Sequence, residues 1–356
     1  MKCSALHLPG ETGGRHDKHG HFVKAEKFFV IGSNSFTGAT FVDWLLTHGC
    51  DVIGTSRSAE LHPVFLPYRW SKPHPASAKF VFHQLDLNAD TDALVAGIGD
   101  FRPDYVVNFA AQSMVAESWL HPDQWYQTNV VANVRLHERI RQFAFIKKYV
   151  HVTTPEVYGS CSGNVTESAP FNPSTPYAAS RAACDLHLMT FFKNYKFPVV
   201  FTRSANVYGP GQQLYRIIPR TILFIKTGRS LQLHGGGRSV RSFIHARDVA
   251  DGTLRVARQA PPGETYHFST NLYVSIRELV ERICARLGVK FDDVVEVVGD
   301  RPGKDAAYLL DSTKARTTLG WKDVVSLDQG IDETIAWITN NLEELKKQPA
   351  DYLHKP

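Results

Sequence analysis

The sequence predicts an α/β protein: a doubly wound parallel sheet with a smaller C-terminal α/β domain. Three observations carry this expectation. Short apolar runs of strand length recur as far as position 207, segments of helical spacing separate them, and a glycine-bounded turn joins the first run directly to the first helical segment. Strands alternating with helices imply parallel pairing through right-handed crossovers.

Taken in order, residues 1–26 (including GETGGRHDKHGH) have no apolar period and read as a flexible extension. Their histidines are too irregularly spaced for a metal site, so no metal is expected. Residues 28–32 (FFVIG) form a strand buried on both faces, followed by the helix ATFVDWLLTHG with Gly49 as its C-cap. DVIGTSR is the second strand. Further strands are expected at 80–86, 105–111, 148–154 and 197–207, with helices at 123–145 and 176–195. After Asn206 the pattern breaks into loops, short strands and the late helices 275–287 and 327–346. This gives a first domain of 27–205 plus about 241–268, a second of about 206–240 plus 269–346, and a tail at 347–356.

Composition excludes several function classes. The 356 residues are 43% hydrophobic and 21% charged, unlike disordered, collagen-like or coiled-coil chains. The net charge of +5 is spread without a basic block, so no nucleic-acid partner is expected, while small anionic ligands suit the chain. Five cysteines without a CxxC pair read as reduced thiols of a cytoplasmic protein. No apolar run approaches the roughly 18 residues of a membrane span, so no membrane partner is expected.

The turn after the first strand reads Gly32-Ser-Asn-Ser35-Phe36-Thr37-Gly38 and opens a helix. Backbone N–H groups and a helix N-terminus would meet a pyrophosphate there, which makes the first domain a Rossmann-type NAD(P)-binding fold. Ser35 stands where a middle glycine is usual. Thr55-Ser56-Arg57-Ser58 ends the second strand without a carboxylate to hold a ribose 2′-hydroxyl. Hydroxyls and a guanidinium suit a 2′-phosphate, so NADP is favoured over NAD. Asp86-Leu87 would meet the adenine edge, and Ala110-Ala111-Gln112 are small enough at the next strand end for the cofactor to pass.

Tyr177 and Arg181, four apart in PYAASRAACD, share one helix face. A cation beside a phenol favours phenolate, so Arg181 is expected to depress the Tyr177 pKa and make it a base. Thr154 and Glu156 stand at the end of the preceding strand, in TTPEVYG.

With these residues the sequence resembles the extended short-chain dehydrogenase/reductase family over nearly all of 27–345, and within it the nucleotide-sugar 4,6-dehydratases. The segments are FAAQSMVAESW (109–119), HVTTPEVYGS (151–160), TPYAASRAACD (175–185), RSANVYGPGQ (203–212), GGGRSVRSFIHARDVA (235–250) and DRPGKDAAYLLDSTKARTTLGW (300–321). The resemblance implies that the second domain binds a nucleotide-diphosphate sugar and that the product is a 4-keto-6-deoxy sugar. Tyr177 would take the 4-OH proton as hydride leaves C4, Thr154 would hydrogen-bond O4, and Glu156 would remove the C5 proton. Water then leaves C6 and the hydride returns there. Asn206, Arg216, Arg241 and Arg301 match positions that bind the diphosphate, where guanidinium forks suit its oxygens. Ser113 and Pro219 match substrate positions, and Leu231, Gln232 and Leu233 the base site. The family also implies a homodimer through helices 123–145 and 176–195.

Two positions depart from the pattern. Arg181 replaces the lysine of YxxxK, keeping charge but not readily shedding a proton. Pro155 replaces the Asp or Ser that the dehydratases place between Thr and Glu, removing the usual acid for the C6 hydroxyl. Two other functions fit the same scaffold. A 4-epimerase would leave Glu156 idle, and a catalytically silent binder would hold cofactor without turnover.

Overall fold

The computed structural model describes residues 15–16, 22–23, 25–70, 74–76, 78–161, 163–299 and 309–355. Its centre is a seven-stranded, all-parallel sheet. In chain order the strands are β1 (Lys27–Ile31), β2 (Asp51–Ser56), β3 (Phe80–Gln84), β4 (Tyr105–Asn108), β5 (Lys148–Val152), β6 (Val199–Ser204) and β7 (Thr265–Phe268). They lie side by side as β7-β6-β5-β4-β1-β2-β3. The order reverses at β1, so the ends of β1, β2 and β4 open a crevice at the switch point.

Residues Phe28, Phe29 and Val30 are fully buried because helices cover both faces of the sheet. On one face α1 (Phe36–Thr47) and the helix Ala246–Gln259 enclose a core containing Phe41, Leu45, Val249 and Val256; on the other lie Leu94, Leu136, Tyr149 and Leu188. A third cluster (Ile218, Leu279, Ile331, Trp337) is the core of the C-terminal part.

The expected strand 197–207 is two strands. Ala205 interrupts it, and Asn206–Tyr208 pairs instead with Val240–His245 in a separate three-stranded sheet with Tyr273–Ser275. The chain then returns to the large sheet through Ala246–Gln259 and β7. The expected helix 123–145 ends at Ile140 and carries a π-helical stretch over Gln127–Ala132. Within 1–26, expected to be a flexible extension, Arg15–His16 and Phe22–Val23 pair as antiparallel strands.

Candidate active site

The switch-point crevice begins at Gly32. Its φ of +83° is open to glycine, and a Cβ there would lie 2.6 Å from the Ala110 nitrogen. Ser35 fills a role different from the glycine it replaces: at φ −68° it is the N-cap of α1, accepting from the Gly38 N–H at 3.1 Å and donating to the Gly32 carbonyl at 2.8 Å. Its hydroxyl therefore closes the loop rather than loosening it. Asn34, which the sequence did not single out, ties this loop to the end of β2. Its amide donates to the carbonyls of Ser58 (3.0 Å) and Ala59 (2.9 Å), and its N–H to the Ser56 hydroxyl at 3.0 Å.

A groove of about 280 Å3 runs along these strand ends, lined by Gly32, Ser35, Ser56, Arg57, Asp86, Leu87, Ala110, Ala111 and Gln112, all expected from sequence. Gln112 is held from behind: its N–H donates to Asn129 Oδ1 at 2.9 Å, and Asn129 Nδ2 donates back to its carbonyl at 3.0 Å. Asn129 lies on the π-helical stretch, a distortion that often marks a functional position.

A larger cavity of about 620 Å3 adjoins the groove, sharing Ser35, Phe109, Ala111 and Gln213 with it. Thr154, Glu156 and Tyr177 all line this cavity, with Phe36, Thr37, Ser113, Asn206 and Arg216. Each is placed by a local device. Thr154 is the N-cap of a 3-10 turn, Pro155–Tyr158, and its hydroxyl accepts from the Glu156 N–H at 3.3 Å. Pro155 stands at the first helical position, where no N–H is needed. Tyr177 sits in the first turn of α2 (Pro176–Tyr195), whose N-cap Thr175 accepts from Ala178 at 3.1 Å. Arg216 is the N-cap residue of α3 (Ile217–Lys226), which puts a guanidinium at a ten-residue helix's positive end, a site that favours anions.

A buried polar network fixes β5 against α2. Thr153 donates to Asp185 at 3.1 Å, and Asp185 is ion-paired with Arg203 at 2.8 Å, both 2% exposed. Arg203 also donates to the Tyr158 hydroxyl, which lies 2.8 Å from His267 Nε2. Burial holds His267 far below its ordinary range, to about 3, so its ring is neutral.

The expectation for Tyr177 needs correction. Its phenol is pushed above the ordinary range, first by burial and then by the Glu156 carboxylate; Arg181, a hydrogen bond with Thr154 and Arg216 offset only part of this. Arg181 lies deeper than its sequence position suggested. It is 2% exposed, outside both cavity linings, and donates through Nη2 to the Val152 carbonyl. Its Nε and Nη1 are buried with no hydrogen-bond partner among the described residues. The close approach that Gly32 permits fits a dinucleotide, whereas the expected contact of Arg181 with its ribose needs correction: outside both linings, Arg181 acts on Tyr177 through its charge.

The other expected substrate residues are less uniformly placed. Leu231 and Leu233 are 2% and 3% exposed in a core cluster with Phe224, Val280 and Cys284, so their side chains do not line the cavity. Any role at a base is left to their backbone. Pro219 is buried within α3, and Arg241 on the strand Val240–His245 donates to the Val240 carbonyl at 2.8 Å; neither lines the cavity. Arg301 lies outside the described residues.

Comparison with known proteins bears on the chain as a whole. The family model described as GDP-mannose 4,6 dehydratase matches residues 29–334. The chain belongs to this nucleotide-sugar 4,6-dehydratase family of short-chain dehydrogenases/reductases. It is 32% identical over 336 residues to a probable dTDP-glucose 4,6-dehydratase of Sinorhizobium fredii, covering 88% of this chain and 93% of that one. The human dTDP-D-glucose 4,6-dehydratase is 35% identical over 68% of this chain and 71% of its own length. Among solved structures, the dTDP-glucose 4,6-dehydratase of Streptomyces venezuelae, determined with NAD bound, has a TM-score of 0.80 at 32% identity, covering 89% of this chain and 98% of that one. A UDP-glucose 4-epimerase of Thermotoga maritima superposes with a TM-score of 0.77 at 24% identity over 89% and 99% of the two chains, which shows a shared fold only. The chain is thus an NAD(P)-dependent hydro-lyase. Among the described residues no helix is long and apolar enough to cross a membrane.

Proposed function

We propose that the protein removes water from a nucleotide-diphosphate hexose to give the 4-keto-6-deoxy sugar, with dTDP-glucose, the substrate in the relatives' names, as the first candidate. The observation that supports this most is Glu156 in the same cavity as Tyr177 and Thr154. Oxidation at C4 alone, as in an epimerase, has no use for a base beyond Tyr177.

Gly32, the N-terminus of α1, Arg57, Asp86 and Gln112 would hold the dinucleotide, and Arg216 with Asn206 the diphosphate. When bound, the dinucleotide supplies a hydride acceptor for C4 and a donor for C6. Tyr177 takes the 4-OH proton, and Thr154 holds O4. The new ketone acidifies C5–H, and Glu156 removes that proton. Glu156 also protonates O6, so that hydroxide leaves C6 as water; Pro155 cannot do this, and a carboxyl group that has just accepted a proton can return it within roughly 3 Å. The hydride that C6 regains is balanced by a solvent proton at C5, and Tyr177 gives up the 4-OH proton to solvent. Incubation with dTDP-glucose, GDP-mannose and UDP-glucose should give a product lighter by one water from at least one of them. Epimerised product without mass loss, or no turnover on any, would refute the proposal.

For the cofactor we infer NADP preference. Ser56, Arg57 and Ser58 line the groove where β2 ends, and β2 ends without a carboxylate. Arg57→Ala should weaken NADP by about 1.5–3 kcal/mol, the range for a hydrogen bond to a charged group, and NAD far less. Titration of both dinucleotides decides it, and equal weakening would refute the inference.

We also propose a homodimer. Trp119, Leu120, Tyr126, Val131, Leu186 and Tyr195 are exposed on helices of one region, 115–140 and 176–195. A cluster of this kind suits an isologous four-helix contact. Light scattering should give twice the chain mass, and Leu186→Glu should shift it toward monomer. A monomeric parent protein at micromolar concentration would refute the dimer.

A further inference from the structure

Residues 350–355 cross from the C-terminal domain to the cofactor groove. Arg220 on α3 holds the start, 3.2 Å from the Ala350 carbonyl and 2.9 Å from Asp351 Oδ1. Tyr352 meets Tyr215 edge-on at 5.4 Å. The His354 ring lies nearly parallel to those of Trp125 (5.5 Å, 8°) and His121 (5.3 Å, 10°), and its Nε2 is 2.6 Å from Gln124 Oε1. The segment ends in the groove itself. The Lys355 carbonyl accepts from Gln112 Nε2 at 2.8 Å and from Arg57 Nη2 at 3.0 Å, and its ammonium donates to Ser58 Oγ at 3.2 Å. Lys355 therefore lines the same groove as Gly32, Asp86 and Ala111, and about 280 Å3 remains open beside it. It is a wall of the groove rather than a plug.

We propose that residues 350–355 are a strap that closes the cofactor groove and retains the dinucleotide, with Lys355 as a cofactor-site residue. This rests on the function proposed above, which makes the groove a dinucleotide site. In that reaction the hydride taken from C4 goes back to C6, so the dinucleotide ends each cycle in the oxidation state in which it began. No exchange is needed between turnovers. A segment anchored on both domains can slow dissociation of the dinucleotide without slowing turnover. Its anchors suit this use: aromatic stacking at His354 and the Arg220–Asp351 ion pair hold it in place, while Arg57 and Gln112 position Lys355 at the wall of the groove.

The test compares the full chain with a variant ending at Gln348 and with the full-length double variant Tyr352→Ala/His354→Ala. Reduced dinucleotide is bound, and its loss after dilution into an excess of a scavenging dehydrogenase is followed by nicotinamide fluorescence. Both variants should release it at least about tenfold faster, the equivalent of one net hydrogen bond. Unchanged thermal midpoints without dinucleotide would show that the difference is not a folding defect. Equal release from all three proteins would overturn the strap. Slower release or tighter binding in the variants would also overturn it, identifying the segment as a competitor of the cofactor. If the full chain binds neither NAD nor NADP, the proposed function fails first and the strap fails with it.

Discussion

Glu156→Gln should leave an enzyme that oxidises the sugar at C4 and stops there. The glutamine keeps the size of the side chain and the 3-10 turn, since Thr154 caps that turn through the Glu156 backbone N–H rather than through the carboxylate. What it removes is the proton acceptor. General acid–base catalysis is worth about 10²–10⁴-fold, and here one carboxylate is assigned both the C5 proton and its delivery to O6, so the loss should lie at the upper end of that range. Reduced nicotinamide absorbance should rise on mixing and persist, because the hydride has no C6 position to return to. Solvent deuterium uptake at C5 should vanish. Glu156→Gln dehydrating at near the parent rate would show that the acid and base lie elsewhere, with Ser113, exposed at the cavity wall, the first side chain to test.

Arg181→Met should move the oxidation step to higher pH. Burial and Glu156 already hold Tyr177 above the ordinary phenol range, and Arg181 is the first of the groups pulling it back. The rate should rise with pH as the phenol ionises. Removing the cation disfavours phenolate, raises the Tyr177 pKa further and carries that rising limb to higher pH. A higher phenol pKa cuts the phenolate fraction at neutral pH, so the rate should fall near neutrality and recover in part as pH is raised. Arg181→Lys should restore most of the parent profile if charge is what matters. A purely structural role would lower the rate equally at every pH. An unchanged profile in Arg181→Met would show that Tyr177 is tuned by other groups.

Much of the active site was legible in the sequence because its devices are local. Gly32 is needed where a Cβ would strike the backbone of Ala110, and the strand–turn–helix that surrounds it is contiguous in sequence. Thr154 and Glu156 follow the end of β5 and Tyr177 opens α2, so the two ends of one strand-to-helix connection meet at the same edge of the sheet. Other features depended on packing. Ala205 divides what reads as one apolar strand, because the residues on its two sides pair with different sheets. Leu231 and Leu233 resemble site residues by position, yet strand alternation turns both into the core and leaves Gln232 exposed between them.

The sequence by itself determined the parallel α/β architecture, the crevice at the strand ends and the candidate side chains that line the cavity beside it, since periodicity and turn chemistry are properties of neighbouring residues. Tertiary structure alone decided how those side chains behave. Placing Tyr177 beside Glu156 in a buried cavity reversed the pKa direction that the Tyr177–Arg181 spacing implied. Folding also placed Lys355 against Arg57 and Gln112, nearly 300 and more than 240 positions away. Desolvation and long-range contact have no local signature, because both depend on what the rest of the chain puts around a residue.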